Sequence, residues 1–330
     1  MKHIYSILFF TMAFLQSCSQ DPIFWMVSNE VAPKDPLISG SPSKIIKCGN
    51  DVYVANGKLW KYSQGAWSKV GGVPSNIFDI AAAGSTLYML SITDENTSVY
   101  KTGSEKIENT SEFDVIQGLY SNGSAVFAGA MKSGSDEYAI LNVSGNSLTL
   151  NQSINSPLTG AAGSYFATAR NGIYNNANLI PGSSGYSIAG IISTGSGVIA
   201  VTGTGNILEV TGSSVTVHAA SESFTGALCV YKRDGITLLL LGVKSSVYDM
   251  GYREMKLNDN FQLSVPGDNV PDSTVSDRDK YRATLAKCAV NSIFQLEETS
   301  AGSDKLPVLL ASTQKDGLWS YRENEWNAEE

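Results

Sequence analysis

Few side chains in this 330-residue chain could carry acid–base or metal chemistry. The sequence has 2 histidines, and His218 is the one that lies beyond the extreme N-terminus. A site with two histidine ligands is therefore excluded from the body of the chain, and a Ser-His-Asp triad would have to use His218. His218 lies in SSVTVHAASES, where apolar and polar residues alternate as in a strand, so we expect it to be structural.

Two further patterns could bind a ligand. Asp268, Asp272, Asp277 and Asp279 offer oxygen ligands for calcium, but their spacing matches no calcium loop, which favours a solvated loop. The glycine-rich stretch TGSGVIAVTGTGN (194–206) lacks the strand, the GxxxxGK[ST] pattern and the helix of a phosphate-binding loop. The sequence therefore predicts no catalytic residue, no metal site and no cofactor.

The composition predicts an all-β chain with a substantial core. Hydrophobic residues make up 42% and charged residues 16% of the chain, which also has 31 glycines. Glycine and serine with β-branched residues between them favour strands and tight turns over helices. The formal charge is −8, and no segment clusters Lys and Arg, so nucleic acid is excluded as an expected partner.

The N-terminus resembles the signal peptide of a bacterial lipoprotein. MKHIYSILFFTMAFLQSC has a basic start and then an apolar run, Ile4 to Leu15, which is short for a membrane span. Leu15-Gln16-Ser17-Cys18 resembles the lipobox, which implies removal of residues 1–17 and attachment of lipid, palmitate included, to Cys18. Ser19 resembles the outer-membrane sorting choice of enteric lipoproteins. The alternative is an ordinary signal peptide that contains a cysteine.

One phrase, a glycine turn followed by a short apolar strand, recurs along the chain. Its copies are GNDVYV (49–54), GSTLYM (84–89), GSAVFA (123–128), GSYFAT (163–168), GSGVIA (195–200), GITLLL (235–240) and GSDKLPVLLA (302–311). A second apolar phrase follows each copy, and an apolar run precedes it. Each unit of about forty residues therefore predicts four short antiparallel strands.

This pattern resembles a β-propeller of seven four-stranded blades over residues 44–330, without the signature of a named subfamily. Leu59, Trp60, Tyr62 and Trp67 recur as Leu318, Trp319, Tyr321 and Trp326, as neighbouring first and last blades of a closed ring would require. A solenoid or two β-sandwiches are the alternatives, because short strands with glycine turns occur in all three folds.

Two segments depart from the repeat. An insertion at about 252–291 includes a Pro/Asp-rich loop and then a pattern that predicts a short helix near 277–290, with Cys288 on it. Residues 18–43 form the lipidated tether, in which PIFWMVS (22–28) is apolar enough to dock as a strand beside the closing blade. Residues 30–44 have the proline and serine content of a linker.

Three cysteines follow the predicted lipidation site: Cys48, Cys229 and Cys288. An exported protein can form disulfides, but an odd number leaves at least one thiol unpaired. No CxxC spacing indicates zinc. We expect three small buried residues, with a disulfide between two of them left open.

Ligands of propellers usually bind at the mouth of the central channel, so the innermost strands supply the candidate site. These strands are predicted to begin near five polar residues: Lys47, Asp79, Gln117, Thr159 and Glu297. The five are mixed in type, which predicts a wet channel without a metal on its axis.

The sequence favours a non-enzymatic lipoprotein: a propeller tethered to a membrane outside the cytoplasm, with the outer membrane as the favoured site, that binds a protein or small ligand or acts as a scaffold. One alternative is a propeller hydrolase or lyase that uses carboxylates in the channel. Another is a surface adhesin. The variable loops of a rigid ring suit binding, since function is carried by sites grafted onto a fold.

Overall fold

The computed structural model describes residues 36–93, 96–195, 197–220, 222–233, 235–245, 251–264, 285, 288–296, 308–322 and 325–329. The described strands form seven antiparallel sheets arranged as the blades of a propeller. The predicted all-β class and blade number are confirmed. Glycines with positive φ angles make the tight turns that the repeat requires, as Gly84 does at φ 58°.

The first four blades each run outward from an inner strand. Blade 1 is β1 (Ile45–Cys48), β2 (Asp51–Ala55), β3 (Leu59–Ser63) and β4 (Ala66–Lys69). Blade 2 is β5 (Ile77–Ala83), β6 (Thr86–Thr93), β7 (Asn96–Lys101) and β8 (Glu105–Lys106). Blade 3 is β10 (Val115–Ser121), β11 (Val126–Met131), β12 (Tyr138–Ser144) and β13 (Ser147–Ile154), with β9 (Glu108–Asn109) added in parallel to β13. Blade 4 is β14 (Leu158–Ala162), β15 (Tyr165–Thr168), β16 (Gly172–Asn175) and β17 (Asn178–Leu179).

The last three blades complete the ring. A 3₁₀ turn (Pro181–Ser183) precedes blade 5, which is β18 (Ile188–Ser193), β19 (Val198–Thr202), β20 (Asn206–Thr211) and β21 (Ser214–Ala219). Blade 6 shows β22 (Ser223–Arg233), β23 (Ile236–Ser245) and β24 (Tyr252–Lys256) within the described residues. Blade 7 is β25 (Val290–Leu296), β26 (Val308–Thr313), β27 (Leu318–Arg322) and β28 (Glu325–Ala328).

Blade 7 packs directly on blade 1, which closes the ring. Blade 7 residues such as Leu310 and Leu318 share one buried cluster with Val54 and Trp67 of blade 1. Trp67 Nε1 donates a 2.6 Å hydrogen bond to Glu329 Oε2 across this seam. The predicted closure between first and last blades is confirmed, and it removes the two exposed apolar blade faces that an open ring would have.

The repeated aromatic phrases adopt matching geometry. Tyr62 and Trp67 have ring centroids 5.1 Å apart at 51°, and Tyr321 and Trp326 have them 5.4 Å apart at 50°. The first pair packs in the seam between blades 7 and 1, and the second packs with blade 6, whose Tyr252 lies 5.8 Å from Trp326. Each pair therefore seals its blade against the preceding one.

The segment expected to be a linker is partly built into the ring. Ile38 is fully buried in the seam between blades 7 and 1, and its carbonyl accepts a 2.9 Å bond from Leu318 N. Leu37 N donates to Glu329 O at 2.8 Å. Residues 36–42, called the clasp below, thus join the end of the chain to its start. The predicted docking strand at 22–28 lies outside the described residues.

The insertion is shorter than the expected 252–291. Tyr252–Lys256 is the third strand of blade 6, and Val290 begins the inner strand of blade 7. Cys288 lies in a bend rather than on a helix, and Ala289 bridges Gly251, so the helix predicted near 277–290 is wrong at its C-terminal end. Residues 277–284 lie outside the described part of the chain. The Leu285 side chain is buried in the core between blades 6 and 7.

All seven inner strands run in the same direction relative to the ring, because every blade has the same strand order. One face of the ring therefore carries the starts of the inner strands, the turns between second and third strands, and the clasp. We call this the entry face. Among the described residues, no helix is both long and apolar enough to cross a membrane.

Candidate functional site

The inner strands share a β-bulge near their starts, and this local feature shapes the mouth of the channel. In blades 2, 3 and 4 the pairing register shifts at Phe78, Gln117 and Thr159. A bulge places one extra residue on the inner strand and re-aims its side chain. Phe78, Gln117 and Thr159 are all at least partly exposed, while their neighbours along the strands are buried.

Beyond the bulge, the inner strands of blades 4 to 6 approach so closely that only glycine fits. A Cβ on Gly190 would lie 2.2 Å from Gly226 O, and a Cβ on Gly226 would lie 2.2 Å from Ala189 O. A Cβ on Gly160 would lie 2.6 Å from Ile191 Cγ2. This side of the ring axis is therefore closed by backbone packing rather than by functional side chains.

Blade 2 has Asp79 at the position where blades 4 and 5 have glycine. Asp79 is buried and forms a 2.8 Å ion pair with Lys44 Nζ, which precedes β1. Its Oδ2 accepts a 2.9 Å bond from Leu119 N of blade 3, and its Oδ1 accepts one of 2.9 Å from Ile80 N. Lys44 Nζ also donates to Leu119 O. The pair thus satisfies both backbone groups of Leu119 on the channel edge of β10.

Tyr120 completes this cluster. The Lys44 ammonium lies 4.5 Å from the centre of the Tyr120 ring, and the Tyr120 hydroxyl donates to Leu158 O of blade 4 at 2.8 Å. Burial, with a contribution from the charge of Asp79, raises the pKa of the Tyr120 phenol well above its usual range. The tyrosine therefore stays protonated and keeps its donor role. Lys44, Asp79, Leu119 and Tyr120, together the inner-strand cluster, link blades 1 to 4.

The five predicted channel residues do not all lie together. Asp79 is in the inner-strand cluster, and Gln117 and Thr159 occupy equivalent bulges on neighbouring strands. Within the described residues, Gln117 Oε1 and Thr159 Oγ1 are buried atoms without a hydrogen-bond partner. Lys47 is exposed near the far end of β1, away from the other three. Glu297 lies outside the described residues.

Sequence reasoning missed Lys44 and Tyr120. Lys44 directly precedes the apolar strand β1 and follows a Pro/Ser segment, so it resembled the end of a linker. Tyr120 looked like an ordinary strand residue. The sequence did contain a signal, namely an aspartate in one inner strand and a lysine just before the inner strand of the preceding blade. A buried carboxylate requires a cation or several hydrogen-bond donors.

His218 is structural, as its strand context predicted. It is buried, and its Nε2 lies 2.9 Å from Glu209 Oε2 on the neighbouring strand β20. The other oxygen of Glu209 accepts a 2.7 Å bond from Leu263 N. Glu209 therefore joins blade 5 to the segment after β24. The described residues contain no group of three or more His, Cys, Asp and Glu side chains placed to hold a metal.

Cys48, Cys229 and Cys288 are all buried free thiols, so the disulfide left open by the sequence is absent among them. Burial raises the pKa of Cys229 to about 12, and burial, with a contribution from Asp51, raises that of Cys48. A high pKa suppresses the thiolate, which is the reactive form of cysteine. These thiols have the properties of packing residues.

The entry face has a groove between blades 1 and 2. The turn before β3 contributes Gly57 and Lys58, and the end of β4 contributes Lys69. The connection to blade 2, residues 70–76, forms the rest of the wall and encloses about 380 Å³. Both lysines are exposed. The groove thus combines two cations with backbone groups and small apolar side chains.

Known proteins similar to this chain are bacterial lipoproteins. The model of the TP013X lipoprotein family matches residues 2–118. An uncharacterized lipoprotein of Treponema pallidum (strain Nichols) is 25% identical and covers 96% of this chain and 93% of its own length. A second one from the same organism is 24% identical, with 98% of each chain covered. The chain is similar to these bacterial lipoproteins, and its described part folds as a seven-bladed β-propeller.

Solved structures similar to this chain support the fold alone. The WD40 β-propeller domain of Doa1 is 11% identical, with a TM-score of 0.52, and the match covers 87% of this chain and 93% of the Doa1 domain. BBS1N, crystallised with ARL6DN, has a TM-score of 0.56 at 13% identity and covers 86% and 93%. The computationally designed Ika8 protein reaches 0.53 at 12% identity, with coverage of 90% and 91%.

Both relatives are lipoproteins, which as a class are membrane-associated proteins of the cell envelope, and their matches extend over nearly the whole chain. The similarity therefore includes the N-terminal segment as well as the propeller. Cys18, the predicted lipidation site, lies outside the described residues.

Proposed function

We propose that this lipoprotein is held on a membrane outside the cytoplasm by lipid on Cys18, and that its propeller binds a protein or small ligand as a recognition or scaffold module. The observation that carries the proposal is the near full-length similarity to lipoproteins of a chain whose described part is a closed ring. Ser19 favours the outer membrane as the site of the anchor. Several acyl chains on one residue give stable anchoring, which a single chain does not.

The inner-strand cluster supports binding rather than catalysis. A channel hydrolase or lyase needs a carboxylate that can exchange a proton with substrate. Asp79 instead faces the Lys44 ammonium and accepts bonds from two backbone N–H groups, which engages it in holding blades together. The variable loops and faces of the ring are therefore the surfaces that we assign to recognition.

Anchoring is tested by labelling with radioactive palmitate and by detergent phase separation in a host that processes lipoproteins. Wild-type protein should take up label and enter the detergent phase, and Cys18→Ser should do neither. Ser19→Ala keeps the proposed acceptor and is the control that should still be labelled. Labelling of Cys18→Ser, or a wild-type protein that stays aqueous, would contradict the proposal.

Recognition is tested by photo-cross-linking in intact cells from single exposed positions. Phe78 on the entry face, Ile236 on the opposite face and Leu150 on the rim are 52%, 41% and 50% exposed, so a photoreactive residue fits at each one. A scaffold or binding role predicts a discrete adduct from at least one position that is absent from the other two. No adduct from any of the three would contradict it.

A further inference from the structure

One sector of this acidic protein is positively charged. Residues 36–106, which include the clasp and blades 1 and 2, contain seven lysines and five aspartates and glutamates, for a net charge of +2, whereas the whole chain carries −8. Asp51 pairs with Lys61 at 2.7 Å, Asp79 with Lys44 at 2.8 Å and Glu105 with Lys101 at 2.8 Å. Lys58 and Lys69 are exposed cations of this sector.

The two groove lysines lie on the entry face. Lys58 is in the turn between the second and third strands of blade 1, and Lys69 ends its outer strand. Both are exposed beside Val70, Val73 and Pro74, which line the same groove. Cations next to small apolar side chains match the boundary between lipid headgroups and acyl chains.

Large apolar side chains are exposed on the same face. Phe78 is at the second position of β5, and Ile92 is near the end of β6, with exposed fractions of 52% and 36%. Leu37 of the clasp is 47% exposed beside the end of the chain. Exposed phenylalanine and leucine side chains near lysines are typical of proteins that rest on a membrane surface.

The anchor would hold this face near the bilayer. The clasp bonds to Leu318 and Glu329, which places Pro36, where the described chain begins, on the entry face. Only residues 19–35 separate Cys18 from Pro36. A segment of this length reaches at most about 60 Å when fully extended. The face that receives the tether is therefore the one most often presented to the lipid.

We infer that the entry-face sector of blades 1 and 2 docks on anionic lipid headgroups, with Lys58 and Lys69 contacting phosphate and Phe78 entering the interface. For its orientation toward the bilayer this inference rests on the proposed anchor, but the surface itself acts without acyl chains. Docking would turn the opposite face and its turns outward. The anchor then supplies attachment, and the sector fixes the orientation of the ring.

The test uses the mature, unacylated chain, residues 18–330 with Cys18→Ser, so that lipid on the anchor contributes nothing. Co-flotation is measured with vesicles of phosphatidylcholine alone or with 30% phosphatidylglycerol. We expect binding to the anionic vesicles that weakens as salt rises, since each lysine near such a surface contributes about a fivefold gain in affinity. Lys58→Glu with Lys69→Glu should weaken binding at least twentyfold, and Phe78→Gln should weaken it severalfold.

The matched control is Lys106→Glu with Lys232→Glu, which changes the charge equally at exposed positions toward the opposite face. Its affinity for anionic vesicles should stay within about threefold of that of the unmodified chain, once the effect of the altered net charge is taken into account. Circular dichroism and urea midpoints verify that every variant is folded. Equal weakening in both double variants, or equal binding to neutral and anionic vesicles, would overturn the inference.

Two outcomes separate this inference from the anchor proposal. Palmitate labelling of wild type with no vesicle binding by the unacylated chain would overturn docking and leave the anchor in place. Vesicle binding without labelling would overturn the anchor and support the docking surface. Saturable binding of inorganic phosphate that Lys58→Glu abolishes, without vesicle binding, would assign the groove to a soluble anion and overturn lipid docking.

Discussion

At the scale of single residues, the cluster around Asp79 shows what the sequence could and could not predict. An aspartate in an otherwise apolar inner strand predicted a polar function near the channel, and the structure does place Asp79 there. Its partners are 35 and 40 residues away, at Lys44 and Leu119. One sequence cannot reveal such long-range pairs, so the residue looked like a ligand-binding group although it serves the ring itself.

Asp79→Ala should lower the free energy of unfolding by about 2–4 kcal/mol, because it leaves the Lys44 ammonium and the Leu119 N–H without their partner. Asp51→Ala is the matched control. Its ion pair with Lys61 is partly exposed to solvent, which screens the attraction, so its loss should lower the free energy of unfolding much less. Urea unfolding compares the two variants. Equal decreases in the free energy of unfolding would contradict a stabilising role for the inner-strand cluster.

The buried Cys229 thiol should make the free energy of unfolding fall at alkaline pH. Burial raises its pKa to about 12 from the usual 9.0, so the unfolded thiol ionises first as pH rises. A group with a raised native pKa contributes fully below its unfolded pKa and loses that contribution above it. The free energy of unfolding should therefore fall between about pH 9 and pH 12, by up to about 1.4 kcal/mol per pH unit.

Cys229→Ala should flatten this fall relative to wild type, measured by urea midpoints at several pH values. Native protein should also react slowly with iodoacetamide at pH 8.5, and unfolded protein should react quickly. The same alkaline slope in the variant would assign the effect to other groups.

At the scale of elements, the repeat predicted strands well because glycine turns and alternating apolar residues are local signals. The clasp was missed for the opposite reason. Its proline and serine resemble a linker, and several residues that hold it in place, among them Leu318 and Glu329, lie almost the length of the chain away. The third strand of blade 6, Tyr252–Lys256, was assigned to the insertion because its sequence YREMK lacks a regular alternation of apolar and polar residues.

The clasp predicts a contrast between neighbouring residues. Ile38 is fully buried between blades 7 and 1, whereas the adjacent Leu37 is 47% exposed. Ile38→Ala should cost about 2–4 kcal/mol of unfolding free energy, as cavities in well-packed cores do, and Leu37→Ala less than about 1 kcal/mol. Urea midpoints that shift equally would show that residues 36–42 do not hold the seam in solution.

At the scale of the whole molecule, the recurring aromatic phrases predicted a ring whose ends meet, and the two Tyr–Trp pairs have nearly the same geometry. Trp60 and Trp319, which recur at equivalent positions of the repeat, differ in burial. Trp319 is buried and donates to Asp316 O at 2.7 Å, whereas Trp60 is only partly buried at its seam. A repeat predicts equivalent positions, but the clasp and the chain ends make the environments of those positions unequal.

The contact between Trp67 and Glu329, 262 residues apart, exists only if the ring is closed, so it tests the fold most directly. A double-mutant cycle with Trp67→Phe and Glu329→Ala measures it, since phenylalanine keeps most of the packing and removes the indole donor, and alanine removes the acceptor. A closed ring predicts a coupling of about 1.5–3 kcal/mol, the range for a hydrogen bond to a charged group. Single effects that add to within about 0.3 kcal/mol would contradict closure between blades 7 and 1.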